Sequence, residues 1–118
     1  AKVPSIDELD ALALKYAGMT DYENSAYGLS KALVNAYTRA LAAAHPRLTI
    51  VSVTPGFLAT DLTKGMGATK PPSAGVPVVE RALFDTDIVS GYFYGSDGLR
   101  SPIDRYRGPG TPEYVDED

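Results

Sequence analysis

The stretch NAYTRALAAAHPRLTIVSVTPGFLATDLTK, residues 35–64, decides how this chain folds. Its first part is rich in alanine (Ala36, Ala40, Ala42, Ala43, Ala44). Alanine favours helix because it has no side-chain entropy to lose, and its small size allows close packing. Pro46 forces an end, since a proline disfavours helical geometry in the residue before it. The six residues LTIVSV, 48–53, are short and rich in β-branched side chains. They read as a strand buried on both faces, as in a parallel sheet. Thr54-Pro55-Gly56 terminates that strand, and a turn or short helix is expected over 60–64.

Upstream, the alanine-rich helix extends back to about Asn24, with Leu29, Leu33, Ala36, Tyr37, Ala40 and Leu41 as its apolar stripe. Before it, Ser5 and Glu8 form the pattern of a capping box. Ile6, Leu9, Leu12, Ala13 and Tyr16 follow at helical spacing, and Gly18 stops the run. Downstream, 65–73 is a Gly/Pro-rich loop. A helix over 73–84 follows with Pro77 in its first turn, and IVSGYFY, 88–94, reads as a second strand. From Gly95 onward, Gly, Pro and charged residues suggest an irregular tail. Helix, strand, helix, strand is an α/β order. Two strands make a poor sheet by themselves. The helices would cover a sheet that is mostly missing, so the chain reads as a piece of something larger.

Composition narrows the function. At 118 residues this is at most one domain. With no Cys, disulfides and thiolate metal sites are excluded, which fits a reducing compartment. No run of about 18 apolar residues exists to span a membrane. The first residues lack an initiator Met and a signal-peptide layout, so a processed or truncated chain is expected. Net charge is −4, and the four acids among the last six residues account for all of it. Neither the neutral body nor the acidic tail offers a basic footprint for nucleic acid. His45 is the single histidine, at a helix C-terminus, and no Ser-His triad can be built with Ser25 or Ser30. Asp7, Glu8 and Asp10 read as a solvated helix face.

Tyr27 and Lys31 stand four apart on the long helix, which puts both on one face. An ammonium beside a phenol favours the phenolate. A tyrosine so placed can exchange a proton with a substrate, as carbonyl reduction requires. With 8 tyrosines in the chain such a pair also arises by chance. Taken alone, it describes an amphipathic helix with a surface Lys beside a half-buried Tyr.

The surrounding residues change that reading. Ser25-Ala26-Tyr27-Gly28-Leu29-Ser30-Lys31-Ala32 resembles the active-site helix of short-chain dehydrogenases/reductases. In that family this helix leads to a strand ending in Pro-Gly, with a Thr a few residues on, as LTIVSV, Pro55-Gly56 and Thr60 do here. ATKPPSAGVPVVERAL and GYFYGSDG resemble the carbonyl reductase-like branch, which includes plant and algal members. The resemblance covers roughly residues 25–98. It implies the C-terminal part of a Rossmann-like, doubly wound parallel sheet whose N-terminal nucleotide-binding half is absent. Residues 1–98 would be the catalytic portion and 99–118 an irregular acidic tail.

The resemblance also implies roles. Tyr27 would be the catalytic acid/base in reduction of a ketone or aldehyde by NADPH. Lys31 would favour the Tyr27 phenolate and bind the nicotinamide ribose. Pro55, Gly56 and the backbone of Phe57 and Leu58 would flank the nicotinamide, and Thr60 would contact the cofactor near its carboxamide and pyrophosphate. Pro55-Gly56 also reads as a plain turn and Thr60 as a plain N-cap. The family's Gly-rich turn is absent, and so is its upstream structural Asn. In the usual spacing its serine would fall at Leu14, which cannot serve. In the carbonyl reductase-like branch an inserted helix, similar to residues 5–18, separates that serine from the tyrosine and implies a monomeric parent. The isolated chain is expected to be inactive and to need its missing half or a partner subunit. The alternative function is a non-catalytic accessory subunit whose sheet edge a partner covers. A cytoplasmic location is expected, or an organellar one after removal of a transit peptide.

Overall fold

A computed structural model of the chain describes residues 2–19 and 25–116. The alanine-rich stretch forms α2, Ala26–Ala44, and the His45 amide closes it on the Leu41 carbonyl at 2.9 Å, just before Pro46. Asn24, the expected start, lies outside the described residues. The first helix, α1, spans Ile6–Ala17 and carries the expected capping box. The Glu8 amide donates to Ser5 Oγ at 3.2 Å, and the Ser5 amide donates to Glu8 Oε2 at 2.7 Å. Two amides that lack intrahelical partners are thereby satisfied.

The two helices run antiparallel. Ser5 and Ile6 share a cleft with Ala43 and Ala44, while the Tyr37 hydroxyl donates to the Asp10 carboxylate. Asp10 is exposed, as expected of a solvated face, and this bond also ties α1 to α2.

The sheet is small and mixed. β1 (Ser52–Val53) pairs in parallel with β2 (Phe93–Tyr94), which pairs antiparallel with β3 (Arg100–Ser101). Parallel bonding extends past the formal strand ends, from the Gly91 amide to the Ile50 carbonyl (2.7 Å) through to the Thr54 amide on the Tyr94 carbonyl (3.0 Å). Both strands are shorter than expected. Over 88–90 the chain turns before the pairing begins at Gly91. Gly91 has φ of 90°, and the Tyr92 amide closes the turn on the Val89 carbonyl at 3.2 Å. That left-handed backbone suits glycine and breaks a ladder. The Ser52 and Val53 side chains are half-buried, not fully buried as expected for a strand covered on both faces.

The expected helix over 73–84 divides in two. A 3₁₀ turn, Pro72–Gly75, precedes α3, Val76–Phe84, with Pro77 in the first turn. Val78 of α3 and Tyr94 of β2 are the most buried apolar side chains, each 2% exposed.

The segment after Gly95 is more ordered than its composition suggests. It contains β3 and folds around Arg107, whose side chain is only 7% exposed. Arg107 donates to the Asp97 carboxylate, to Ser101 Oγ at 3.0 Å and to the Thr111 carbonyl at 2.8 Å. A buried guanidinium needs such partners, because an unpaired one would be costly. Among the described residues no helix is long and apolar enough to cross a membrane.

Candidate active site

The direction of α2 against the sheet fixes where its first turns lie. Gly91, just ahead of β2, faces Arg39 and Ala42. Asn35, nearer the helix start, accepts from the Ser52 hydroxyl of β1 at 2.9 Å. The helix is therefore antiparallel to β1 and β2, and its N-terminus points toward their carboxyl ends. Tyr27 lies eight residues before Asn35, about 12 Å farther along the axis at 1.5 Å per residue. Tyr27 and Lys31 thus sit at the end of the sheet where the turn after β1 also begins.

The spacing of four brings the pair together. Lys31 Nζ lies 5.5 Å from the centroid of the Tyr27 ring. The amine is over the ring rather than hydrogen-bonded to the hydroxyl, so the contact is a cation–π one. Ser30 Oγ donates to the Tyr27 carbonyl at 2.7 Å, a packing role on the helix itself. Tyr27 is 75% exposed, and a Cβ at Gly28 would meet nothing within 4 Å. The first turns of α2 therefore present an open face.

The turn after β1 is built by its own residues. Thr54 Oγ1 accepts from the Gly56 amide at 3.4 Å, and Gly56 has φ of 95°. A Cβ at Gly56 would lie 3.2 Å from Ser96 Cβ, so the turn packs against the end of β2. Phe57 is 52% exposed. Leu58 is half-buried. The Ala59 amide donates to the Lys70 carbonyl at 2.7 Å, which draws the 65–70 loop back beside Leu58. Thr60 is the N-cap of a 3₁₀ turn, Asp61–Thr63. Its amide donates to Thr63 Oγ1 at 2.9 Å, and Thr63 Oγ1 donates in turn to the Leu58 carbonyl. Thr60 thus stands at the N-cap position of that turn, and its side chain stays exposed.

Pro55, Gly56, Phe57, Leu58 and Thr60 therefore form one continuous loop. Tyr27 and Lys31 reach the same end of the sheet from α2. No hydrogen bond joins Tyr27 or Lys31 to that loop among the described residues.

One residue that holds the site was not singled out from sequence. Gly75 is buried, and a Cβ there would lie 2.8 Å from both Pro55 Cβ and Leu58 Cδ1. The 3₁₀ turn ahead of α3 thus presses directly on the loop. The signal was present as a Gly inside a predicted helix, which marks a packing reason. Asn35 was likewise missed, although a buried Asn inside an apolar stripe invites the question of its partners. Among the described residues there is no group of three or more acidic or histidine side chains able to hold a metal.

No family model matches the chain. It is similar to curated plant proteins. It is 41% identical over 75 residues to salutaridine reductase of Papaver bracteatum, covering 64% of this chain and 24% of that protein. It is 40% identical over 70 residues to short-chain dehydrogenase/reductase 1 of Saponaria officinalis, covering 59% and 23%. It is 39% identical over 70 residues to (+)-neomenthol dehydrogenase of Capsicum annuum, covering 59% and 22%. The chain spans about a quarter of the length of the curated relatives it matches.

Proposed function

This chain belongs to the short-chain dehydrogenase/reductase family, and from that premise we propose that it is the catalytic C-terminal portion of an NADPH-dependent, carbonyl reductase-like enzyme. The protein that carries it would reduce a ketone or aldehyde to an alcohol. The observation that supports this best is the placing of Tyr27 and Lys31 on one helix face, 5.5 Å apart by ring centroid and amine, at the carboxyl end of the strands. Ligands of open α/β sheets bind beyond that end.

The residues present fit a nicotinamide nucleotide in their chemistry. Lys31 offers an exposed ammonium for ribose hydroxyls. Thr60 offers an exposed hydroxyl at the start of its 3₁₀ turn. Pro55, Gly56 and the backbone of Phe57 and Leu58 offer a rigid turn against which a flat ring can lie. The bound nucleotide would supply hydride to the carbonyl carbon. Tyr27 would hold the carbonyl oxygen by its hydroxyl and give it the proton. Lys31, beside the same ring, would stabilise the phenolate left behind, and solvent would return its proton. The exposure of Tyr27 means that substrate and nucleotide can reach it from the open face.

The Rossmann-like doubly wound sheet belongs to the same proposal. The three strands here would be its C-terminal edge, with residues 1–98 as the catalytic portion and 99–118 as a following segment. The test is an NADPH-oxidation assay on the whole protein with a panel of ketones and aldehydes. Steady turnover with at least one carbonyl supports the proposal. No turnover and no NADPH binding would favour an accessory subunit instead.

A further inference from the structure

We propose that Thr63 is the positioning residue of the candidate nucleotide loop, its one hydroxyl group setting the backbone of residues 58–60 in the shape that receives the nucleotide. The inference rests on the reductase reading above and adds a residue outside the set already placed at the site.

A threonine hydroxyl has one proton to give and two lone pairs to receive with. Thr63 spends both capacities on the same loop. Its Oγ1 accepts from the Thr60 amide at 2.9 Å and donates to the Leu58 carbonyl. The Thr60 carbonyl, 3.2 Å from the same oxygen, is engaged by the Thr63 amide at 3.1 Å. The Thr60 hydroxyl lies 3.4 Å from Thr63 Oγ1. The Leu58 carbonyl and the Ala59 amide belong to one planar peptide unit, and both of its polar edges are held. Thr63 takes the carbonyl, and the Ala59 amide donates to the Lys70 carbonyl at 2.7 Å. The next unit is held at the Thr60 amide. Two successive peptide units are therefore anchored on one side chain. Burial separates the roles. Thr63 is half-buried, while Ala59 and Thr60 are exposed. The anchoring residue is the sheltered one, and the residues it sets are accessible.

The chemistry of the side chain is specific. A valine has the same shape but neither accepts nor donates. An ionised carboxylate accepts but has no proton for the Leu58 carbonyl. A serine hydroxyl does both. Thr63 acts through residues 58–60 and not by touching the nucleotide, so its loss should weaken nucleotide binding and spare the proton transfer at Tyr27.

The test compares the whole protein with its Thr63→Val and Thr63→Ser variants. Without nucleotide, Thr63→Val should speed amide hydrogen exchange at Thr60 about tenfold, the effect of one lost hydrogen bond. In steady-state reduction of a carbonyl, Thr63→Val should raise KM for NADPH about tenfold and change kcat at saturating NADPH less than about threefold, because preorganisation is lost and the proton donor is not. Thr63→Ser keeps the hydroxyl and should match the unaltered protein in both readouts. The inference is overturned if Thr63→Val leaves Thr60 exchange or KM for NADPH unchanged. It is also overturned if Thr63→Ser loses as much as Thr63→Val, since packing of the methyl group would then be the cause. If the unaltered protein neither binds nor oxidises NADPH, the reductase reading fails and this inference falls with it. A failure confined to the variants leaves that reading standing.

Discussion

The Ser52 hydroxyl donates to Asn35 Oδ1 at 2.9 Å, and that bond ties α2, the helix that carries Tyr27, to the strand that leads into Pro55-Gly56. Asn35 is 8% exposed and also donates from Nδ2 to the Ile103 carbonyl at 3.4 Å. One amide therefore joins helix, strand and C-terminal segment. Asn35→Ala should cost about 1–3 kcal/mol, the usual result of leaving buried polar groups unpaired. Chemical denaturation of the protein carrying this segment measures it, and a loss below about 0.5 kcal/mol would show that the bond orders nothing.

Gly75→Ala should disturb the candidate site from outside it. The new Cβ would lie 2.8 Å from Pro55 and Leu58 atoms, closer than such contacts allow. The loop must move outward, at a cost of about 1–3 kcal/mol typical of overpacking. On the reductase reading NADPH affinity falls as well, by about tenfold or more. Fluorescence titration with NADPH checks this, and unchanged affinity would separate Gly75 from the site.

Acid should loosen the C-terminal segment around Asp97. Burial alone would raise its carboxyl. The Arg107 guanidinium and the amides of Gly110 and Leu99 outweigh that effect and hold it below the usual range. A carboxylate with a depressed folded-state value contributes stability at pH above its unfolded value, about 3.9 for Asp. That contribution is lost as pH falls below about 4 toward the folded value. Asp97→Asn should remove this part of the acid dependence, and denaturation midpoints between pH 5 and 2 compare the two proteins. Parallel pH curves for both would count against the pair.

The legible parts of this fold were those set by neighbours in sequence. The capping box of Ser5 and Glu8, the stop at Pro46 and the pairing of Tyr27 with Lys31 all act within one helical turn, so spacing alone revealed them. The strand lengths were not legible. A glycine within IVSGYFY fits a strand until its positive φ is known, and Gly91 takes that conformation while packed against Ala42. The ordered C-terminal segment was hidden for a related reason. Its Gly and Pro content reads as irregular, and only the tertiary meeting of Arg107 with Asp97 organises it. At the site, the type of each side chain could be read from sequence. The shared end of the sheet could not, because it depends on Asn35 reaching Ser52 across 17 residues of chain.

On the proposed reductase reading, the Tyr27 hydroxyl gives the proton. Steady-state reduction of a ketone by the whole protein, compared with its Tyr27→Phe variant at matched NADPH saturation, tests it most directly. A fall in kcat of about 10²–10⁴-fold is expected with NADPH affinity nearly unchanged, since only the proton donor is removed. Undiminished turnover in Tyr27→Phe would contradict it.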